Sequence, residues 1–234
     1  LEGENRYFVK RGLEALRHSQ KPWVAALCDV SSQEKSQIDE DTIGFLFGPR
    51  INAVGRLGEA RPAVELLMSE DAAQAAMLAK KLNDANVERK DLVQTITEEV
   101  VAMIEGDEAL RNSLVLVVAA PNWNPGVVGI VASRLVEEYY KPTIVLCIDE
   151  EKGTAKGSAR SIEGYHLYNE LAKNRDIVPH FGGHPMAAGM TLPKENVEEL
   201  RRRLHMQAVD CLTDEQLQQK LRVDIPLTLE EITV

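Results

Sequence analysis

The chain has 234 residues, with 37 Asp+Glu against 27 Lys+Arg and a formal net charge of −10. Hydrophobic residues make up 44% and charged residues 27%, a globular composition whose apolar runs fall short of the ~20 residues needed to span a bilayer. The acidic balance excludes a uniformly basic nucleic-acid coat, because bulk phosphate neutralisation needs surplus Lys and Arg; it leaves room for a local basic groove.

In chain order, a helix is expected over 6–17, with Phe8, Val9, Leu13 and Leu16 apolar, and Pro22 and Gly48-Pro49 read as breakers. Leu1 in place of an initiator Met points to a piece of something longer. No Gly or Pro lies between Pro62 and Gly106; Ser69 is the N-cap candidate, and Leu78, Leu82, Val87, Leu92, Ile96, Val100 and Ile104 recur at helical spacing. A helix over 71–105 would be about 50 Å long at ~1.5 Å per residue, which suits a connector between two lobes. A coiled-coil partner helix is the other reading, against which the stripe is not a clean heptad.

LVLVVAA (114–120) and TIVLCI (143–148) have strand length and continuous apolar character, and Asn124 and Pro125 can open a helix between them that ends before Pro142. This is a βαβ pattern, so the two strands should be parallel with a right-handed crossover. DEEKG (149–153) reads as a hairpin turn into a strand carrying KGSARS, followed by helices around 164–173 and 195–208. The tail LRVDIPLTLEEIT alternates as the start of a further strand unit. Cys28, Cys147 and Cys211 form no CxxC pair; the first two lie in apolar runs and read as buried thiols in a reducing cytosol, with no zinc spacing.

Charge is uneven. Residues 1–121 carry 20 acids and 14 bases, 193–234 carry 9 and 6, and the Gly-rich stretch 122–192 is nearly neutral at 8 and 7. Within 48–61, Arg50, Arg56 and Arg61 face Glu59 alone. Four constellations could carry chemistry. In FGGHPMAAG (181–189), two glycines before His184 let backbone N–H groups cradle an anion while the imidazole adds a hydrogen bond; a tight turn with a capping His is the alternative. In KGSARS (156–161), a strand would put Ser158 and Arg160 on one face and Ala159 toward the core. The planar fork of Arg160 suits bidentate phosphate contact; a solvated edge strand is the alternative. No GxSxG elbow is present, so neither Ser158 nor Ser161 reads as a nucleophile.

The PNWNPG junction offers a helix N-terminus for an anion but lacks GxGxxG spacing, and Trp123 either stacks on a base or fills a loop core. In GPRINAVGR (48–56), Arg50, Asn52 and Arg56 can share one side of a turn and helix start, with a solvated hinge as the alternative. The carboxylates of DEDT (39–42) and DEEK (149–152) lack a neighbouring His and read as solvated charge. His18, His166, His180 and His205 lack ligand spacing and receive no role.

Six segments in order, LEGENRYFVKRGLEAL, IGFLFGPRINAVGRLGEARPAVELL, LNDANVERKDL, WNPGVVGIVASRLVEEYYKPTIVL, GSARS and FGGHPMAAG, closely resemble the motifs of the RecJ family of single-stranded-DNA-specific exonucleases, within the DHH phosphoesterase superfamily. Asn124 departs from the His that many members carry before Pro-Gly. The resemblance implies an α/β fold: a DHH-associated domain with a mixed, partly parallel sheet flanked by helices, preceded by a long connector helix. It maps 1–56 to the C-terminal tail of the DHH lobe, 57–105 to interlobe connector helices, 106–215 to the DHH-associated domain and 216–234 to the start of an incomplete OB-like region.

The implied parent is a 5′→3′ exonuclease of DNA repair and recombination in the bacterial cytoplasm. It would bind Mn2+ or Mg2+ through Asp and His motifs that precede residue 1, so this fragment is expected to hold no metal and no catalytic residue and to be inactive alone. Arg50, Arg56, Ser158, Arg160 and His184 match family positions for holding the DNA 5′ end and its phosphates, and Asn52, Ser161, Gly182 and Gly183 complete the candidate set. Ser158 and Arg160 are assigned to the terminal phosphate, and Gly182, Gly183 and His184 to closing the substrate end of the cleft. The implied partners are single-stranded DNA with a 5′ end and a single-strand-binding protein or helicase, with no membrane. Two alternatives stand beside this: a phosphodiesterase relative acting on small dinucleotides or short oligonucleotides, and a non-catalytic module that docks repair proteins.

Overall fold

A computed structural model of the protein describes residues 2–221 and 223–227. The chain forms two compact units, one built from residues up to 101 together with 124–130, the other from 102–123 together with residues from 131 onward.

The first unit is helical: α1 (Gly3–His18), α2 (Pro22–Ser31), a 3-10 turn (Lys35–Gln37), a π-helical stretch (Thr42–Phe47), α3 (Gly48–Leu57), α4 (Arg61–Met68) and most of α5 (Ala72–Gly106). The expected breakers act differently from the sequence reading. Pro22, Pro49 and Pro62 each sit in the first turn of a helix, where a missing N–H costs nothing. Before Pro49 the chain is already helical, and its last turn widens to the π form rather than breaking. The reason is local: the Pro49 ring crowds the preceding turn and donates no hydrogen bond, so the Gly48 N–H reaches back five residues to the Ile43 carbonyl. A Cβ on Gly48 would lie 2.9 Å from that oxygen. The core gathers Val24, Leu27, Ile38, Phe47, Leu66, Leu78 and Leu82.

Helix α5 is about 52 Å long at ~1.5 Å per residue. Its cap is Asp71, whose Oδ1 accepts the Gln74 N–H at 2.7 Å. Ser69, the expected cap, is buried and instead donates to the Asp71 carbonyl and the Gln74 side chain, both at 3.1 Å. The buried stripe runs Ala75, Ala79, Leu82, Asn86, Val93, Ile96 and Val100, with half-buried Arg89 between. The steps are three or four residues throughout, so the stripe is more regular than apolar residues alone suggest. Two of its positions are polar, Asn86 and Arg89, joined by a 3.0 Å hydrogen bond. Val87, expected on the stripe, lies beside it at 49% exposure.

The second unit begins with α6 (Glu108–Asn112), capped by Asp107 through the N–H groups of Ala109 and Leu110. It continues with β1 (Leu116–Pro121), α7 (Val128–Tyr139, whose first three residues count with the first unit), β2 (Thr143–Asp149), β3 (Thr154–Arg160), α8 (Leu167–Ala172), β4 (His180–Gly183), β5 (Ala187–Pro193) and α9 (Val197–Cys211). The strands form one sheet in the order β1-β2-β3-β5-β4; β1 and β2 are parallel, as the βαβ pattern requires, and every other pair is antiparallel. The mixed sheet flanked by helices is therefore present. Alternation along the strands assigns the faces. Val117, Ile144, Leu146, Ala155, Ala159, Ala188, Met190 and Leu192 join one core with Leu167, Leu171, Leu200 and Leu204 from α8 and α9.

On the opposite face Leu116, Val118, Thr143 and Val145 are also buried, but past β2 that face opens to solvent. Cys147, expected to be buried, is half-buried there, because it alternates to this face beyond the fully covered residues 143–146; Cys28 is buried and Cys211 exposed. Of the OB-like region expected over 216–234, residues 222 and 228–234 lie outside the described residues.

Candidate functional site

The open sheet face is built by register. Residues paired across strands project to the same side, as do residues two apart along one strand. Lys156 pairs with Thr191, which pairs with His180; Ser158 pairs with Gly189, which pairs with Gly182; Arg160 pairs with Ala187. His184, just past β4, donates its N–H to the Ala187 carbonyl at 2.8 Å and so joins the Arg160 row. Three parallel rows result. Each outer row holds one cation, Lys156 or Arg160, and one imidazole, with Thr191 in the first and Ala187 in the second, and Ser158 with two glycines occupies the middle one. Lys156, His180, Gly182, His184 and Gly189 are exposed, while Ser158, Arg160 and Thr191 are half-buried. The one carboxylate that the strands of this sheet project to this side, Asp149, accepts from Lys152 at 2.6 Å, which holds its pKa below the ordinary carboxylate value.

The glycines have separate reasons. A Cβ on Gly182 would meet nothing within 4 Å, and one on Gly189 only the Gly157 carbonyl at 3.9 Å. Their smoothness therefore serves no neighbour in the chain and leaves a bare floor with accessible backbone. Gly157 is glycine for packing: its Cβ would sit 1.9 Å from the Val145 carbonyl oxygen. Gly183 is likewise required by close approach, with a Cβ 2.3 Å from the Ala187 oxygen.

The His184 loop is anchored at each residue. Besides the His184–Ala187 bond, the Ser161 N–H donates to Met186 O and the Leu167 N–H to Pro185 O, each at 3.0 Å. Ser161 is buried and its hydroxyl donates to the Tyr165 carbonyl at 2.6 Å. It faces the interior, so of the KGSARS side chains Lys156, Ser158 and Arg160 project to the open face and Ser161 braces the turn behind it.

The candidates in GPRINAVGR belong to the first unit and do not share one side. They lie on α3, a regular helix at 100° per residue, so Asn52 and Arg56 project together and Arg50 points away from them. Arg50 is engaged internally: Nε donates to Asn83 Oδ1 at 3.0 Å, Nη1 to Leu46 O at 2.8 Å and Nη2 to Val30 O at 3.3 Å. Burial lowers its pKa. Asn52 and Arg56 are exposed, and Arg56 Nη1 donates to Gly126 O at 3.1 Å. Gly126 itself is a packing glycine, since a Cβ there would lie 1.9 Å from the Arg56 carbonyl oxygen. Asn124 turns the loop by accepting the Gly126 N–H at 2.8 Å. Trp123 is buried, which answers for the loop-core reading.

Lys156, His180 and Thr191 were absent from the sequence candidates. They lie far apart in the chain, and only the register of three strands brings them together; the available signal was alternation with Ser158 and Gly182. Among the described residues no group of three or more His, Cys, Asp or Glu converges as metal ligands. These residues do not fit a divalent-metal centre.

The DHHA1 domain family model matches residues 112–210. The single-stranded-DNA-specific exonuclease RecJ of Bacillus subtilis (strain 168) is 49% identical over 234 residues, covering all of this chain and 30% of that protein. The exonuclease of the same name from Escherichia coli (strain K12) is 33% identical over 241 residues, covering all of this chain and 42% of that protein. The crystal structure of RecJ in complex with Mg2+ from Thermus thermophilus aligns with a TM-score of 0.77 at 28% identity, over 89% of this chain and 32% of that one. A crystal structure of exonuclease RecJ bound to manganese aligns at 0.75, also at 28% identity, over 88% of this chain and 50% of that one. The chain thus spans well under half the length of these two curated relatives.

Proposed function

From the premise that the chain is a RecJ homologue carrying a DHHA1 domain, we propose that it is the substrate-binding part of a 5′→3′ single-stranded-DNA exonuclease of DNA repair and recombination in the bacterial cytoplasm. Single-stranded DNA with a 5′ end is the substrate. In this reading 106–215 is the DHH-associated domain, 57–105 the connector and 1–56 the tail of the DHH lobe. Hydrolysis depends on Mn2+ or Mg2+ held by parts of the parent beyond these residues, and the chain alone is inactive. A single-strand-binding protein or a helicase is the proposed protein partner.

The observation that carries this reading is the row geometry of the open sheet face. Arg160, whose Nη1 donates to the Ala159 carbonyl at 2.8 Å, and Ser158 place a guanidinium and a hydroxyl on the same side of β3, and His184 stands in the Arg160 row on an anchored loop. Together these donors can surround a terminal phosphate, with the Gly182–Gly183 backbone beside it. Charge-assisted hydrogen bonds of this kind are the strong class. Asn52 and Arg56 on α3 are proposed contacts for backbone phosphates, and Arg50 supports α3 from within.

The test is fluorescence anisotropy with a 3′-labelled, 5′-phosphorylated single strand. Arg160→Ala should weaken binding about tenfold, since ~1.4 kcal/mol is a factor of ten and charged hydrogen bonds contribute about that or more. Affinity should fall with salt, with a log–log slope of about −0.7 per phosphate contacted. Unchanged binding by Arg160→Ala, or salt-insensitive binding, would overturn the assignment and favour a docking module.

A further inference from the structure

We propose that Lys156, Thr191 and His180 form a second phosphate grip, for a phosphate farther along the same strand whose terminal phosphate lies at Arg160. The proposal rests on the reading of Ser158, Arg160 and His184 given above and extends it to residues that reading does not use.

Three observations point to it. First, the Lys156 row repeats the chemistry of the Arg160 row: a cation on β3 and an imidazole on the β4 side, on one face and in register. Second, the two rows are four residues apart along β3, about 13 Å at ~3.3 Å per residue. That exceeds the separation of neighbouring phosphates and suits phosphates separated by an intervening nucleotide. The row between them is the Gly182–Gly189 floor, where an added Cβ would meet no atom closer than 3.9 Å. A sugar–phosphate backbone can therefore lie against the sheet from one grip to the other. Third, three other lysines of this unit are neutralised whereas this one is not. Lys152, Lys173 and Lys194 are each tied to a carboxylate, while among the described residues Lys156 has no ion pair. An exposed, unneutralised cation beside a bare strip of backbone, on a chain of net charge −10, is a local reversal of sign suited to a polyanion.

The sheet face then measures length as well as end chemistry. The ligand class is a 5′-phosphorylated single strand long enough to reach both rows, so mononucleotides engage the Arg160 row alone. The test uses the whole 234-residue chain and 5′-phosphorylated oligothymidylates of increasing length, from the mononucleotide upward, in competition binding. The wild-type chain should gain roughly tenfold in affinity once the oligonucleotide spans two rows. Lys156→Ala should lose that step and leave mononucleotide affinity unchanged, and Lys156→Arg should keep the step. Arg160→Ala should weaken every length. A length step that survives in Lys156→Ala overturns the second grip while leaving the terminal-phosphate reading intact. An Arg160→Ala chain that binds all lengths normally overturns the reading on which it rests.

Discussion

Replacing two glycines of the sheet by alanine separates packing from function. Gly157 lies in the middle of β3, paired with Leu146 on one side and Met190 on the other. Its added Cβ would sit 1.9 Å from Val145 O and 2.8 Å from the Leu146 Cα. Both are backbone atoms of β2, so no side chain can swing aside. Carbon–oxygen contacts normally stand at ~3.3–3.6 Å, and β2 and β3 must part by about 1.4 Å, straining the ladder where it is most buried. Overpacking typically costs about 1–3 kcal/mol and each weakened ladder bond about 1 kcal/mol more, so Gly157→Ala should cost about 3 kcal/mol or more. At roughly 4 °C per kcal/mol for a domain of this size, the melting transition should fall by about 12 °C or more. Gly182→Ala meets nothing within 4 Å, so its stability should stay within about 0.5 kcal/mol of wild type. Its methyl group would nonetheless raise the floor between the two rows and weaken oligonucleotide binding. Differential scanning calorimetry with anisotropy measures both quantities. A Gly157→Ala transition within about 2 °C of wild type, or a Gly182→Ala chain as unstable as Gly157→Ala, would refute the reasoning.

Other expectations follow from single contacts. Ser161→Ala removes the buried donor to the Tyr165 carbonyl and should cost about 1–3 kcal/mol by leaving that acceptor unsatisfied; urea melts should show it, along with weaker binding as the His184 loop loosens. Thiol labelling should run from Cys211 to Cys147 to Cys28, following exposure, with Cys28 labelling only on unfolding because burial also pushes its thiol pKa up. Arg202 and Arg203 hold the Glu199 carboxyl down to about 2. Its contribution to α9 is therefore present above the ordinary carboxylate pKa and lost as pH falls toward 2. Glu199→Gln should flatten the pH dependence of stability between about pH 4.5 and 2, and an unchanged acid limb in denaturant melts would contradict that.

Much of the second unit was legible because its signals are local. The apolar runs 114–120 and 143–148 separated by one helix's length dictate a parallel pair, and alternation in KGSARS already set Ser158 and Arg160 against Ala159. The hidden parts depend on contacts distant in sequence or on polar residues in apolar roles. The α5 stripe passes through Asn86 and Arg89, which an apolar pattern skips, and so its regular spacing looked broken. Gly48-Pro49 reads as a stop, yet a π turn absorbs the proline because glycine lets the carbonyl of Ile43 come close. Ser161 is a polar residue in a motif of polar residues, and only the fold shows its hydroxyl turned inward to Tyr165. Arg50 looked equivalent to Arg56 until the helix set them on different sides. The row of Lys156, Thr191 and His180 required the pairing of three strands, which no single segment encodes.

The central claim is that DNA lies on the open face of β3, β5 and β4. Backbone amide chemical-shift mapping of the chain, titrated with a 5′-phosphorylated single strand, tests it most directly. The largest shifts are expected at Lys156, Ser158, Arg160, Gly182, His184 and Gly189, with the core-facing Ala159, Ala188 and Met190 less affected. Shifts confined to α8 and α9 on the other side of the sheet, or none in the sheet at saturating DNA, would contradict it.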